Sequence, residues 1–157
     1  RIVVLPPKRK RLGKTDYRLR FRLASSGKPR LVIRKSLKNI LAQIIIYQKD
    51  GACVVASAHS NELKKYGLEH ARRDIPVAYL VGYLVGRKAV QKKIREAILD
   101  IGLYRVTKGS LLFAALKGTL DAGMTIAHGN DVFPSEDRIS SRHFQGLLQR
   151  AFFPLHI

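Results

Sequence analysis

Positions 5–22 read LPPKRKRLGKTDYRLRFR. They carry eight basic side chains (Lys8, Arg9, Lys10, Arg11, Lys14, Arg18, Arg20 and Arg22) against a single acid, Asp16. Like charges packed this closely repel one another, and no apolar core can absorb them. The stretch must therefore lie outside any core, either as a solvated tail or as one half of a contact with a polyanion. The imbalance is local. Residues 1–38 hold 14 Lys/Arg and one acid, whereas residues 39–157 hold 16 and 10. A formal charge of +19 on 157 residues points to nucleic acid ahead of an anionic membrane surface. An idle tail is the weaker explanation, because the surplus is too large and too concentrated.

The remainder has the means to fold. Its length suits one domain with a real core, and an apolar fraction of 46% is ordinary for a globular chain. The lone Cys53 excludes an intramolecular disulfide and fits a reducing compartment. Within ACVVA it is expected to be a small core residue. No uncharged apolar run approaches the ~20 residues of a membrane span, so no membrane partner is expected. RIVVLPPKRK is too short in apolar residues for a signal peptide. Because position 1 is arginine, the gene's start need not be here.

Three segments are expected. Residues 1–27 form a basic arm, in which Pro6-Pro7 favours extended backbone and breaks helices. A short helix over 15–23 is capped by Thr15 or Asp16, and SSGKP (25–29) closes the arm as a turn. Residues 28–123 form an α/β core. RLVIRK (30–35) is a first strand, SLKN (36–39) a turn, and NILAQIIIYQ (39–48) a longer strand buried on both faces for most of its length. Asp50-Gly51 marks a tight hairpin turn before a third strand, ACVVASA (52–58). This is an antiparallel meander. Asp74 and Pro76 then start a helix, VAYLVGYLVGRKAVQKKI, whose basic end suits the helix dipole. Ala78, Gly82 and Gly86 on one of its faces imply close packing on the sheet. AILDI (97–101) is a fourth strand ended by Gly102. Ser110 caps a second helix, SLLFAALKGTLDA, closed by Gly123. Strand, strand, strand, helix, strand, helix gives a mixed sheet with a right-handed strand–helix–strand crossover. Residues 124–157 form an appendage, with a short strand or loop in MTIAHGNDVFP and a helix near 140–152.

Few of the side chains suggest catalysis. The five histidines, His59, His70, His128, His143 and His156, show no metal-ligand spacing. There is no phosphate-cradling GxxxxGK[ST] and no Gly-x-Ser-x-Gly elbow, so no cofactor is expected. The element order is also that of ribonuclease-H-like nucleases, which hold two metal ions on strand carboxylates. Here the first two strands carry none, Asp50 lies in a turn, and Asp100 is the only strand acid. One carboxylate cannot hold two metals, so a metal-dependent nuclease is the disfavoured alternative and no enzyme is expected. Binding remains. Tyr17, Leu19, Phe21 and Leu23 interleave with the arm's cations, which suits phosphate neutralisation combined with base stacking. Phe21 and Leu23 could equally anchor the arm to the core.

The blocks KTDYRLR, SGKPRLVIRKSLKNILAQII, PVAYLVGYLVGRKA, AILDIGL, SLLFAALKGTLDAG and HGNDVFPSEDRI occur in this order. Together they resemble the 5S-rRNA-binding protein family of the large ribosomal subunit, number eighteen of the bacterial series, in its archaeal/eukaryotic type. The likeness runs from about position 8 to 142. It implies a ribonuclease-H-like motif without a catalytic site. It also implies a structural protein, cytoplasmic and on the ribosome, that binds 5S rRNA and helps attach it to 23S-type rRNA in the central protuberance, beside neighbouring ribosomal proteins. By the same resemblance the RNA-binding residues are, in the arm, Lys8, Arg9, Lys10, Arg11, Lys14, Tyr17, Arg18, Arg20 and Arg22. On the first strand and its turn they are Lys28, Arg30, Arg34, Lys35, Ser36, Lys38 and Asn39, with Gln43 on the paired strand. The chain departs from the family pattern at Ala127, where proline is usual, and in the basic pair Arg72 and Arg73. AFFPLHI at the C-terminus matches no family block. A rigid sheet edge could meet phosphate ridges at several points while the arm threads between RNA helices and orders on binding.

Overall fold

Arg30–Lys35 (β1), Ile40–Gln48 (β2) and Gly51–His59 (β3) form the antiparallel meander in the computed structural model, which describes residues 5–68 and 73–139. Leu31 faces Ile44 and Ile33 faces Ala42 across the first ladder. Glu96–Asp100 (β4) runs parallel to β1, with Arg30 beside Ile98 and Val32 beside Asp100. Thr125–Ile126 (β5), within the segment expected to be an appendage, adds a fifth strand parallel to β4. The mixed sheet has the order β3-β2-β1-β4-β5.

The period-2 alternation of strand side chains divides the sheet into two unlike faces. Leu31, Ile33, Ile40, Ala42 and Ile44 point to one face and are almost wholly buried. They pack under two helices, Ile75–Gln91 and Leu111–Asp121, whose buried residues complete the core. The other face carries Arg30, Val32 and Arg34 of β1 and the half-buried Leu41, Gln43 and Ile45 of β2. β2 was expected to be buried on both faces. It alternates instead, because the two helices cover only one side. Cys53 was expected in the core and is exposed. A bulge between Ile44 and Ile45 shifts the β2–β3 register, and the distal half of this edge hairpin (Tyr47, Ala52, Cys53 and Val54) is left uncovered. Gln48 pairs with Gly51, so the two turn residues are Lys49 and Asp50, one earlier than expected.

The glycine face of the first core helix meets the second helix rather than the sheet, which corrects the packing expected above. A β-carbon on Gly82 would overlap the Ala115 carbonyl, and one on Gly118 would overlap the Tyr79 carbonyl. Bare backbone on both sides brings the two axes together. Ser110 occupies the N-cap position of the second helix, but its hydroxyl makes no cap bond and is buried without a hydrogen-bond partner among the described residues. The helix expected near 140–152, the AFFPLHI end and Arg72 lie outside the described residues.

Candidate nucleic-acid interface

The arm's local chemistry decides which way its cations point. Lys8–Arg11 (α1) is a single helical turn whose N-cap is Pro7, so the prolines precede helix rather than exclude it. Tyr17–Ser25 (α2) starts two residues later than expected. Its N-cap is Asp16, whose carboxylate accepts from the backbone N–H of Arg18 (2.9 Å) and Leu19 (3.1 Å). The arm's one acid is thus engaged as a cap. Arg9 Nε donates to Thr15 Oγ1 at 3.0 Å, tying the two helical pieces together. On a helix, residues two apart point about 200° away from each other. Arg18 and Arg22 therefore share one side of α2, Arg20 lies on the other with Asp16 and Leu23, and Leu19 falls between the two sides. Leu23 and Tyr17 are half-buried, whereas Phe21 is 73% exposed and anchors nothing within the described residues. Lys8, Arg9, Lys10, Arg11, Lys14, Arg18, Arg20 and Arg22 are all exposed.

On the facing side of the sheet the organising group is Asp100, the last residue of the interior strand β4. Its Oδ2 receives Arg30 Nη1 at 3.4 Å and its Oδ1 receives Arg34 Nη2 at 3.3 Å. The Gly102 N–H also donates to Oδ1, at 2.9 Å. Gly102 turns the chain there with φ +64°. Arg30 is only 4% exposed. Arg34 is half-exposed and adds bonds to the Ile33 carbonyl (2.8 Å) and the Asp100 carbonyl (2.9 Å). Asp100 is not the only acid on a strand, as the sequence had suggested, because β4 begins at Glu96. Glu96 lies at the opposite end of that strand, exposed, and pairs with Lys28 at 3.2 Å. Among the described residues no group of three or more His, Cys, Asp or Glu could hold a metal ion.

The turn after β1 presents further cations. The Ser36 N–H donates to the Asn39 carbonyl (2.9 Å), the Asn39 N–H donates to Ser36 Oγ (3.0 Å), and Ser60 Oγ donates to Asn39 Oδ1 (3.0 Å). These bonds fix the turn and leave Lys35 and Lys38 exposed at its ends. Lys35 Nζ stands 5.1 Å from the centre of the Tyr104 ring, and Tyr104 Oη donates to the Lys35 carbonyl at 2.8 Å. Arg73, noted above as a departure, donates to the Ser36 carbonyl at 3.3 Å. Gln43 is half-buried on the outer face, opposite Val32.

Arm and sheet enclose a cavity of about 550 Å³. Five of the expected residues line it: Arg9, Lys14 and Arg20 from the arm, and Arg30 and Arg34 from β1. Against these five cations stand two carboxylates, Asp16 and Asp100, and both already have partners. Lys8, Lys10, Arg11, Arg18 and Arg22 lie elsewhere on the arm's surface, and Lys28 lies toward the far end of the sheet. Sequence reasoning missed Asp100 as the organiser and missed Tyr104. Their only sequence signal was a place beside the glycine that ends β4.

Comparison with known proteins gives concordant matches. A family described as "Ribosomal large subunit proteins 60S L5, and 50S L18" matches residues 5–97 and 91–129. Over 139 residues the chain is 51% identical to "Large ribosomal subunit protein uL18" of Methanococcus maripaludis, covering 88% of this chain and 72% of that one. The protein of the same name from Thermofilum pendens is 50% identical over 139 residues, covering 88% and 71%.

Proposed function

We propose a function from one premise: this chain belongs to the family of large-ribosomal-subunit proteins that includes 60S L5 and 50S L18, and its place is the large ribosomal subunit. The proposal is a structural constituent that binds 5S rRNA and helps attach it to 23S-type rRNA in the central protuberance, beside neighbouring ribosomal proteins. The observation that carries it is the convergence of arm and β1 cations on one basic cleft whose two carboxylates are already engaged. Such a cleft has a surplus of positive charge to offer phosphates.

Roles follow from exposure and bonding. Lys8, Lys10, Arg11, Lys14, Arg18, Arg20 and Arg22 are exposed to meet phosphates along the arm, as is Arg9 beyond its Nε bond to Thr15, with Tyr17 at the arm's base. Lys35 and Lys38 are presented by a turn that Ser36 and Asn39 hold in shape. Arg34 reaches the surface from its bond to Asp100, Arg30 forms the inner wall, and Gln43 stands half-buried on the same sheet face beside Val32. Lys28 is tied loosely to Glu96. The strand order, with β4 and β5 parallel to β1, supports a ribonuclease-H-like motif within residues 28–123, extended by β5. Residues 1–27 act as the RNA-binding arm and residues 124–157 as a C-terminal appendage. Arginines engage Asp100 and a lysine engages Glu96, which speaks against metal-dependent nuclease chemistry.

The test is binding to 5S rRNA against an unrelated structured RNA of equal length across a salt series. Six to ten phosphate contacts give a log–log slope of very roughly −4 to −9. A 5S preference that persists at high salt upholds the assignment. Equal binding of both RNAs, lost together as salt rises, reduces the protein to a generic polycation and overturns it.

A further inference from the structure

The cavity between arm and sheet has a composition that phosphate contacts alone leave unexplained. Its rim is cationic, but its walls include Leu19, Val32, Ile45 and Ile101, which are apolar. Inside it, Arg30 is 4% exposed and makes one side-chain hydrogen bond among the described residues, the long 3.4 Å contact with Asp100. A guanidinium carries five N–H donors. No Arg30 nitrogen is a buried atom without a partner among the described residues, so its remaining N–H groups open into the cavity, where they can donate to water or to an acceptor that enters it. Its volume of about 550 Å³ falls within the range of small-ligand sites. Leu103 at 58% exposure and the Tyr104 ring stand among the lining residues on the sheet side.

We infer that this cavity takes one unpaired nucleotide extruded from the bound RNA. The base lies between the apolar walls with its acceptor edge toward Arg30, and its phosphate rests on Arg9, Lys14 and Arg20. This rests on the RNA-binding function proposed above and specifies what the interface selects. A base with two adjacent acceptors on one edge suits the Arg30 fork best, since a guanidinium donates in parallel pairs. Apolar walls reward a π face, which a bare phosphate lacks. An unstacked loop or bulge nucleotide costs least to extrude, so the pocket discriminates RNA shape as well as base identity.

The experiment scans the unpaired positions of 5S rRNA with single abasic substitutions, which remove a base and keep its phosphate. Each RNA is titrated with the wild-type chain and with Leu103→Trp, which narrows the cavity from an exposed position that tolerates bulk. For the wild type one position should weaken binding by about tenfold or more while the rest change by less than about twofold. Leu103→Trp should bind intact RNA about tenfold more weakly and lose sensitivity at that one position. Its circular dichroism and Tm should match the wild type. If no abasic position stands out while 5S rRNA still binds more tightly than control RNA, the pocket is refuted and RNA binding survives. If 5S rRNA binds no better than control RNA, both fail. If millimolar guanosine or adenosine monophosphate alone raises the Tm and competes with RNA, the occupant is a free nucleotide, which overturns the assignment to an extruded one.

Discussion

Replacing Asp100 with alanine tests whether one carboxylate organises the basic cleft. Its side chain is 9% exposed and that of Arg30 5%, so their 3.4 Å contact is a buried pair. Removing one partner of a buried pair leaves the other charge uncompensated, at a cost of about 3–5 kcal/mol. Two features place Asp100 near the low end. Arg34 has a side-chain exposure of 39%, so its share of the pair is screened by solvent. Arg30 also lines the cavity, where water can hydrate it once the carboxylate is gone. The expected loss is therefore about 3 kcal/mol, a fall in Tm of roughly 6–12 °C for a chain of this length. Asp100→Asn should cost less, because its side-chain oxygen can still accept from the Gly102 N–H. The double variant Arg30→Met with Asp100→Leu should recover most of the loss, since an apolar pair of similar volume often replaces a buried ion pair without penalty. Urea unfolding at constant m-value measures all three. A loss below about 1 kcal/mol for Asp100→Ala, or a double variant no more stable than the single, would show that Arg30 is hydrated and that the pair organises nothing.

The helix pair predicts a second outcome. Gly118→Ala forces a β-carbon into the Tyr79 carbonyl and to 2.8 Å from the Tyr83 backbone nitrogen, so unfolding should ease by at least the ~1–3 kcal/mol of an overpacked core; an unchanged urea midpoint would mean that the helices separate freely. Asp16→Ala removes the α2 cap and should cost that helix about 1 kcal/mol, read as lower far-UV helicity and easier protease cleavage before Lys28. Burial, then the hydrogen bond to Asp121, raises the pKa of the Tyr79 phenol well above its ordinary value. A raised folded-state pKa gives stability that is complete below the unfolded value near 10 and is lost as pH climbs beyond it. Tyr79→Phe should thus be less stable than wild type at pH 8, and the gap should close above pH 10; a gap that widens there reverses the sign of the argument.

Where local chemistry decides the outcome, the sequence was sufficient. RLVIRK becomes β1 to the residue, Asp16 caps the arm helix, and Gly102 and Gly123 take the positive φ that ends an element. Where the outcome depends on what covers a surface, it was not. The apolar run ILAQIII cannot say that one face meets two helices and the other a basic arm, so β2 was expected to be buried on both sides. ACVVA cannot say that its half of the hairpin lies uncovered, so Cys53 was misplaced. Gly82 and Gly86 announce a close approach without naming the partner, which proved to be a second helix.

The candidate interface divides along the same line. The number of cations in the arm is written in the sequence, but their direction is not. Arg18, Arg20 and Arg22 alternate like residues of a strand, yet the Asp16 cap sets a helical period that turns Arg20 toward the sheet and Arg18 with Arg22 away from it. Arg30 and Arg34 look equivalent in RLVIRK because a strand places both on one face. What separates them is distance from the end of β4, where Asp100 receives both guanidinium groups and the chain leaves the sheet at Gly102. One arginine is left inside a cavity and the other at its mouth. A single carboxylate 66 and 70 residues along the chain thus converts two similar cations into an inner wall and an outer contact, and no pattern local to β1 could have revealed it.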